Sequence, residues 1–217
     1  MILALCGAAR SGKDTVTDML AAFFIQNDGS SLVRVQIAGP LKTFCRQVFD
    51  WTIEHTDGKL KDEPDPRYPR PCPTCKGNYP TLCSGACNGT GVTYLTPRQA
   101  MQTLGDDWST PLYEPIWALM AARTAERLVQ PGTPVAVTDC RFLRDIEAVR
   151  AVGGVIIQVH RDAEGLTGAA AQHRGEVERN SPVFQEKVGH HIYNDGTLED
   201  LKGKVADLAV SLLRPKG

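Results

Sequence analysis

The sequence predicts an α/β fold: a parallel sheet flanked by helices, carrying one small cysteine-rich insertion. Three observations carry that expectation. Short apolar runs alternate with longer stretches whose apolar residues recur every three or four positions. A glycine-rich loop joins the first apolar run to the first helical stretch. Four of the seven cysteines crowd into a proline-rich stretch where the alternation stops.

Each element has its own reason. Residues 2–6 are a continuous apolar run ending at Gly7, as in a strand buried on both faces. Residues 13–26 place Val16, Met19, Leu20, Phe23 and Phe24 at helical spacing. Residues 32–37 alternate as a strand and stop at Gly39-Pro40, and 41–51 read as a helix with Phe44, Val48 and Trp51 on its apolar face. No amphipathic period survives in 52–95. Thr96-Pro97 supplies an N-cap and a first helical residue. Helices are expected at 97–104, 114–129 and 142–152, and strands at 135–138 and 155–160. Residues 161–189 are polar without a clear period and read as a mobile segment. A strand at 191–193, a turn at Asn194-Asp195-Gly196 and a closing helix at 198–213 complete the chain. Strands separated by helices imply right-handed crossovers and a parallel sheet. The domain expectation is a core of 1–51 and 96–217, with a lid near 161–189, interrupted by an insert at 52–95.

Composition narrows the function. With 217 residues, 42% hydrophobic and 23% charged, the chain is globular in type. A net charge of −1 offers no basic field for nucleic acid or an anionic membrane. No apolar run is long enough to span a bilayer, and the first residues lack the basic flank of a signal peptide. A cytoplasmic enzyme is the expectation.

Residues 7–15 read Gly-Ala-Ala-Arg-Ser-Gly-Lys-Asp-Thr between an expected strand and an expected helix. That is the setting of a phosphate-binding P-loop. Backbone amides of Gly7, Ser11 and Gly12 and the helix N-terminus would hold phosphate oxygens, and Lys13 would reach the β and γ phosphates of ATP. Asp14 stands where a Ser or Thr commonly ligates Mg²⁺, and Thr15 follows one residue later. Motor ATPases and small GTPases rely on that hydroxyl, so its displacement points toward small-molecule kinases.

Further motifs sharpen this. GAARSGKDT, then IAGPLK at 37–42, TPRQAMQTLG at 96–105, TDCRF around Asp139 and Arg141, and YNDGTLEDL at 193–201 occur in this order. Together they resemble the bacteriophage deoxynucleoside monophosphate kinase family, over most of the chain except 52–95. The resemblance implies a P-loop NTPase fold, adenylate-kinase-like with a moving lid, that passes the γ-phosphoryl of ATP to a deoxynucleoside monophosphate. It implies host-cell cytoplasm for a phage-encoded chain.

Roles follow for particular residues. Asp139 ends a strand at the ligand-binding edge of the sheet and is expected to hold Mg²⁺ through water; its other reading is an N-cap for the helix from Phe142. Arg10 and Arg141 would stabilise transition-state charge, and Arg141 would also fork onto a substrate phosphate, unless it is a solvated arginine. Lys42 is expected at the acceptor phosphate, unless it is a surface lysine. Trp117, matching a tryptophan the family keeps in a similar position, would stack on a base or else sit in the core. Gln102 would read a base edge. Arg161, His173, Arg174 and Arg179 are lid candidates for closing over the phosphoryl group, or solvated charges. The family's His-x-Thr-Glu pattern is here His173-Arg174-Gly175-Glu176, without the threonine.

Cys72-x₂-Cys75-x₇-Cys83-x₃-Cys87 has the spacing of a tetrahedral thiolate site, and structural Zn²⁺ is expected. Iron–sulfur ligation is chemically allowed, but nothing else suggests redox work. Two rival functions stay open: another P-loop kinase, such as one for dephospho-coenzyme A, and a nucleic-acid-binding ATPase gripping its ligand with the zinc knuckle. Base choice and homodimer formation also stay open.

Overall fold

The computed structural model describes residues 1–78, 80–161 and 174–213. The chain divides into two compact units, residues 1–39 with 115–217 and residues 40–114.

The first unit is built on a five-stranded parallel sheet of β1 (Ile2–Gly7), β2 (Val33–Gln36), β5 (Val135–Cys140), β6 (Val155–His160) and β7 (His190–Tyr193), in spatial order β2-β5-β1-β6-β7. β1 is central and buried along its whole length. Its side chains alternate between two cores, as the two-residue period of a strand requires. Leu3 and Leu5 pack with Val16, Leu20 and Phe24 of α1 (Lys13–Asp28) and with Leu201, Val205 and Leu208 of α10 (Leu198–Leu213). Ile2, Ala4 and Cys6 face Ala121 and Ala125 of α6 (Ile116–Leu128), and Ile146 and Val149 of α7 (Leu143–Ala151). Each fully buried Leu or Ile here contributes about 1.5–3 kcal/mol. The core therefore holds the carboxyl end of β1, where the glycine-rich loop begins, rigidly in place.

The pairing of β1 with β5 contains one irregularity. Ala4 pairs with Val137 and Cys6 with Cys140, so two residues of β5 stand against one of β1. Asp139 lies in this bulge at φ 60°. A bulge re-aims a side chain, and a left-handed non-glycine residue stores strain that recurs at functional sites.

The second unit begins with most of α2 (Gly39–Phe49), followed by α3 (Ile53–Thr56) and the antiparallel ribbon of β3 (Asp65–Pro71) and β4 (Val92–Leu95). Its centre is aromatic. Trp51 stacks on Phe49 at 4.4 Å between ring centroids, Tyr68 meets both edge-on, and the Trp51 indole N–H donates to Asp65 at 2.7 Å. α4 (Pro97–Gln102) runs through a π-helical stretch, Thr103–Trp108, into α5 (Ser109–Tyr113). Thr96 caps α4 by accepting the Gln99 N–H, with Pro97 at the first position, as expected.

Two expectations are corrected, in α2 and within 161–189. In α2 the buried residues are Leu41 and Cys45, whereas Phe44 and Val48 are exposed; the apolar stripe lies one position away from the more hydrophobic pair. The stretch 52–95 holds α3 and the β3–β4 ribbon, and a two-stranded arm tolerates prolines that a central strand would not. The described part of 161–189 contains α8 (Arg174–Arg179) and α9 (Pro182–Gln185), whose Phe184 is fully buried. Residues 162–173 lie outside the described residues.

Candidate active site

The loop between β1 and α1 is shaped by three left-handed residues: Gly7 at φ 148°, Arg10 at 63° and Gly12 at 98°. At Gly7 a Cβ would come within 2.3 Å of the Val159 carbonyl oxygen, so the close approach of β6 admits only glycine. Lys13 folds back over the loop and donates to the carbonyls of Gly7 at 3.1 Å and Ala8 at 2.7 Å. These bonds hold the ammonium over the loop at the N-terminus of a sixteen-residue helix, where amides and dipole favour an anion. Burial depresses the Lys13 pKa, and the nearby charges of Arg141 and Arg179 lower it further, with Asp14 opposing. Two further cations thus lie within electrostatic reach of the Lys13 ammonium. Arg179 is buried, while Arg10 and Arg141 are exposed. Asp14 is exposed on the first turn of α1, and Thr15 is half-buried one residue on. Ser11 is buried against the loop. Cys6, just below, is pushed up to about 12 by burial, which leaves it a neutral thiol.

Asp139 is positioned but already engaged. Its two carboxylate oxygens accept the Ile37 and Ala38 amides at 2.8 and 3.3 Å, tying the bulge of β5 to the turn after β2. The alternative reading of Asp139 as helix cap is corrected. The cap position falls at Phe142, and Asp145, at the third helical position, reaches back to accept the amides of Arg141 at 2.8 Å and Phe142 at 2.9 Å. Burial pushes the Asp145 carboxyl up to about 6, against the pull of those two amides. Between about pH 4 and pH 6 the native state keeps a proton that the unfolded chain has released, so this group makes the protein less stable as pH rises through that window, by about 3 kcal/mol. Asp145→Asn should accordingly show a shallower fall in melting temperature from pH 4 to 6. An unchanged slope would contradict this assignment.

Among the other expected site residues, Trp117 of α6 is half-buried against the core cluster containing Val137 and Ile146. Lys42 and Gln102 belong to the second unit. Lys42 is ion-paired with Asp57, whose carboxyl stays below its usual range because Lys42 and Thr56 outweigh its burial; Gln102 is exposed. Arg161 is exposed, and His173 and the Arg174 side chain lie outside the described residues. Sequence reasoning read Asn194 only as a turn within YNDGTLEDL; the structure brings it to the loop across 183 positions of sequence.

The four clustered cysteines form a second centre. Their sulfurs all lie within 4.8 Å of one another, with Cys72–Cys83 and Cys75–Cys87 each at 3.9 Å. A tetrahedron with metal–sulfur bonds of about 2.3 Å has edges of about 3.8 Å, so the four thiols fit one metal ion. Two turns of similar build present them: Lys76-Gly77 and Asn88-Gly89, each after a second cysteine, are both left-handed pairs. The four thiols share their protons unevenly: the Cys75 and Thr74 amides lower the Cys72 thiol to about 6, while, against the Gly85 amide, the neighbouring sulfurs push Cys83 up to about 12. The Cys72 amide donates to the Gly91 carbonyl at 2.9 Å, closing the arm at the end of the β3–β4 ribbon.

A glycine-rich loop with its lysine folded back over it, at the carboxyl edge of a parallel sheet and at the mouth of a helix, defines a P-loop α/β protein of the phosphoryl-transferring kind. The chain belongs to the deoxynucleotide monophosphate kinase family, whose model matches residues 85–205, more than half its length. It is a nucleotide kinase, a phosphotransferase. The match includes Asp139, Arg141, Arg179 and Asn194; the loop at 7–15 precedes it. Among solved structures, TT1252 from Thermus thermophilus shares the fold, with a TM-score of 0.50 and 13% identity over 99% of this chain and 98% of that one. Shikimate kinase from Acinetobacter baumannii in complex with shikimate gives 0.41 at 12% identity, over 99% and 95%. No curated protein matches the chain. Among the described residues, no helix is long and apolar enough to cross a membrane.

Proposed function

We propose that the protein transfers the γ-phosphoryl group of Mg·ATP to a deoxynucleoside monophosphate, giving the diphosphate. The observation that carries this reading is the Lys13 ammonium held over the glycine-rich loop at the mouth of α1, with the charges of Arg141 and Arg179 acting on it, within a chain of the deoxynucleotide monophosphate kinase family. Such transfer asks little covalent chemistry of the protein; positioning and charge stabilisation supply the rate. In this reading the loop amides and Lys13 hold the β and γ phosphates. Arg10, Arg141 and Arg179 offset charge that spreads over the migrating group. Lys42, Gln102 and Trp117 are proposed for the acceptor, with Arg174 in the lid and residues 52–95 as an insert carrying structural Zn²⁺.

Magnesium would supply charge neutralisation between the phosphates. Asp139 suits an outer position toward it because the β5 bulge places its carboxylate at the carboxyl edge of the sheet, held there by the Ile37 and Ala38 amides. Asp139→Asn should therefore weaken the Mg²⁺ dependence of kcat more than Asp14→Ser does. An equal effect, or a larger one at Asp14, would reverse these roles.

The test of the reading is a coupled ADP-release assay across the four deoxynucleoside monophosphates, their ribo counterparts and dephospho-coenzyme A. Turnover with at least one deoxynucleotide, well above the others, is expected. Turnover confined to dephospho-coenzyme A, or ATP hydrolysis that rises only with added polynucleotide, would replace it with one of the rival functions.

A further inference from the structure

We propose that Asn194 is a positioning residue of the phosphate-binding loop: it fixes the peptide between Ser11 and Gly12 so that the Gly12 amide is presented to the nucleotide. This rests on the reading of the loop as an ATP site. The Asn194 side chain donates from Nδ2 to the Ser11 carbonyl at 2.9 Å. A trans peptide is planar, with its N–H and C=O pointing in opposite directions. Holding the Ser11 carbonyl toward Asn194 therefore turns the Gly12 N–H away from it. That N–H makes no hydrogen bond to the described residues, which leaves it as a donor at the mouth of α1, beside the Lys13 ammonium.

The same contact accounts for the residue type at position 12. A Cβ there would lie 2.5 Å from Asn194 Nδ2, and the backbone is at φ 98°, so both the clamp and the backbone call for glycine. Asn194 is itself well anchored. Its own amide donates to the His160 carbonyl at 2.7 Å, at the end of β6, and Ile192, two residues before it, is buried in the core with residues of α1 and α10. The sheet thus reaches around the loop and sets one of its peptide planes before any ligand arrives. Without the clamp the loop would have to order that peptide on binding, and the cost would fall on nucleotide affinity.

Asn194→Ala and Asn194→Asp both remove the donor, the second at nearly constant shape. Full-length wild type and both variants are compared by thermal melting, by calorimetric titration with ADP, and by kinetics with ATP and acceptor varied separately. Expected is a rise of about tenfold in KM for ATP and in Kd for ADP, with kcat at saturating ATP within about threefold, acceptor KM within about twofold, and at least one variant melting within a few degrees of wild type. ADP affinity unchanged in either folded variant overturns the clamp, as does a fall in kcat without a change in KM for ATP. So does loss of affinity only in step with loss of the folded state in both variants. If wild type itself binds no ADP, the ATP reading falls and the clamp falls with it. Wild-type affinity in the variants, beside a wild type that binds ADP, overturns the clamp alone.

Discussion

Lys13→Ala is expected to lose about a thousandfold in kcat, roughly 4 kcal/mol of transition-state stabilisation, while melting close to wild type. The expectation rests on what Lys13 touches. Among the described residues its ammonium bonds only the carbonyls of Gly7 and Ala8, so the fold gains little from it, and burial together with two arginines already presses on its charge. A cation kept in such a place is better satisfied by phosphate oxygens than by loop carbonyls. A purified variant that keeps more than about a tenth of wild-type kcat would show that the loop does not act on the migrating group.

Loss of the thiolate centre is expected to affect stability as much as loss of Lys13 affects rate. The segment from 72 to 91 offers few large apolar side chains, and Leu82 is 84% exposed, so apolar burial cannot order it. Metal binding then couples to local folding, and the coupling reaches about 10 kcal/mol in the smallest zinc modules. With all four positions filled by sulfur, no open site is left for a catalytic water. Protein purified without added metal should carry one Zn²⁺ per chain by elemental analysis. Cys75→Ser/Cys83→Ser should lose the metal and melt in an earlier, separate step, with kcat of the remaining folded protein changed only a few-fold. Absence of zinc from wild type would remove the site. A variant whose kcat collapses while its melting is unchanged would make the metal functional instead.

What the sequence makes legible is local, and what it hides is long-range. The bounds of the strand at 155–160 and the helix at 198–213 agree with β6 and α10, because an apolar run and a 3.6-residue period announce themselves within a few residues. The glycine-rich loop was legible for the same reason. In α2, two pairs at i and i+4 spacing, Leu41 with Cys45 and Phe44 with Val48, satisfy the same period. The more hydrophobic pair lies exposed, so tertiary context decided the face. The prolines of β3 masked the alternation of an arm. At the site, Asp139 was visible at a strand end, but its left-handed backbone and its hold on Ile37 and Ala38 were not, since that contact spans about a hundred positions. Arg179 read as one more lid charge, and only packing shows it buried beside Lys13. Asn194 read as a turn, because the carbonyl it holds belongs to the other end of the chain.

The central claim is phosphoryl transfer to a deoxynucleotide at the Lys13 loop, and the most direct measurement follows the phosphorus itself. Wild type and Lys13→Ala are incubated with ATP labelled in the γ position, magnesium and each deoxynucleoside monophosphate, and the products are separated. The account predicts label in the deoxynucleoside diphosphate with wild type, dependent on magnesium and lost with Lys13→Ala. Label appearing only as inorganic phosphate, or in the diphosphate equally with both proteins, would contradict it.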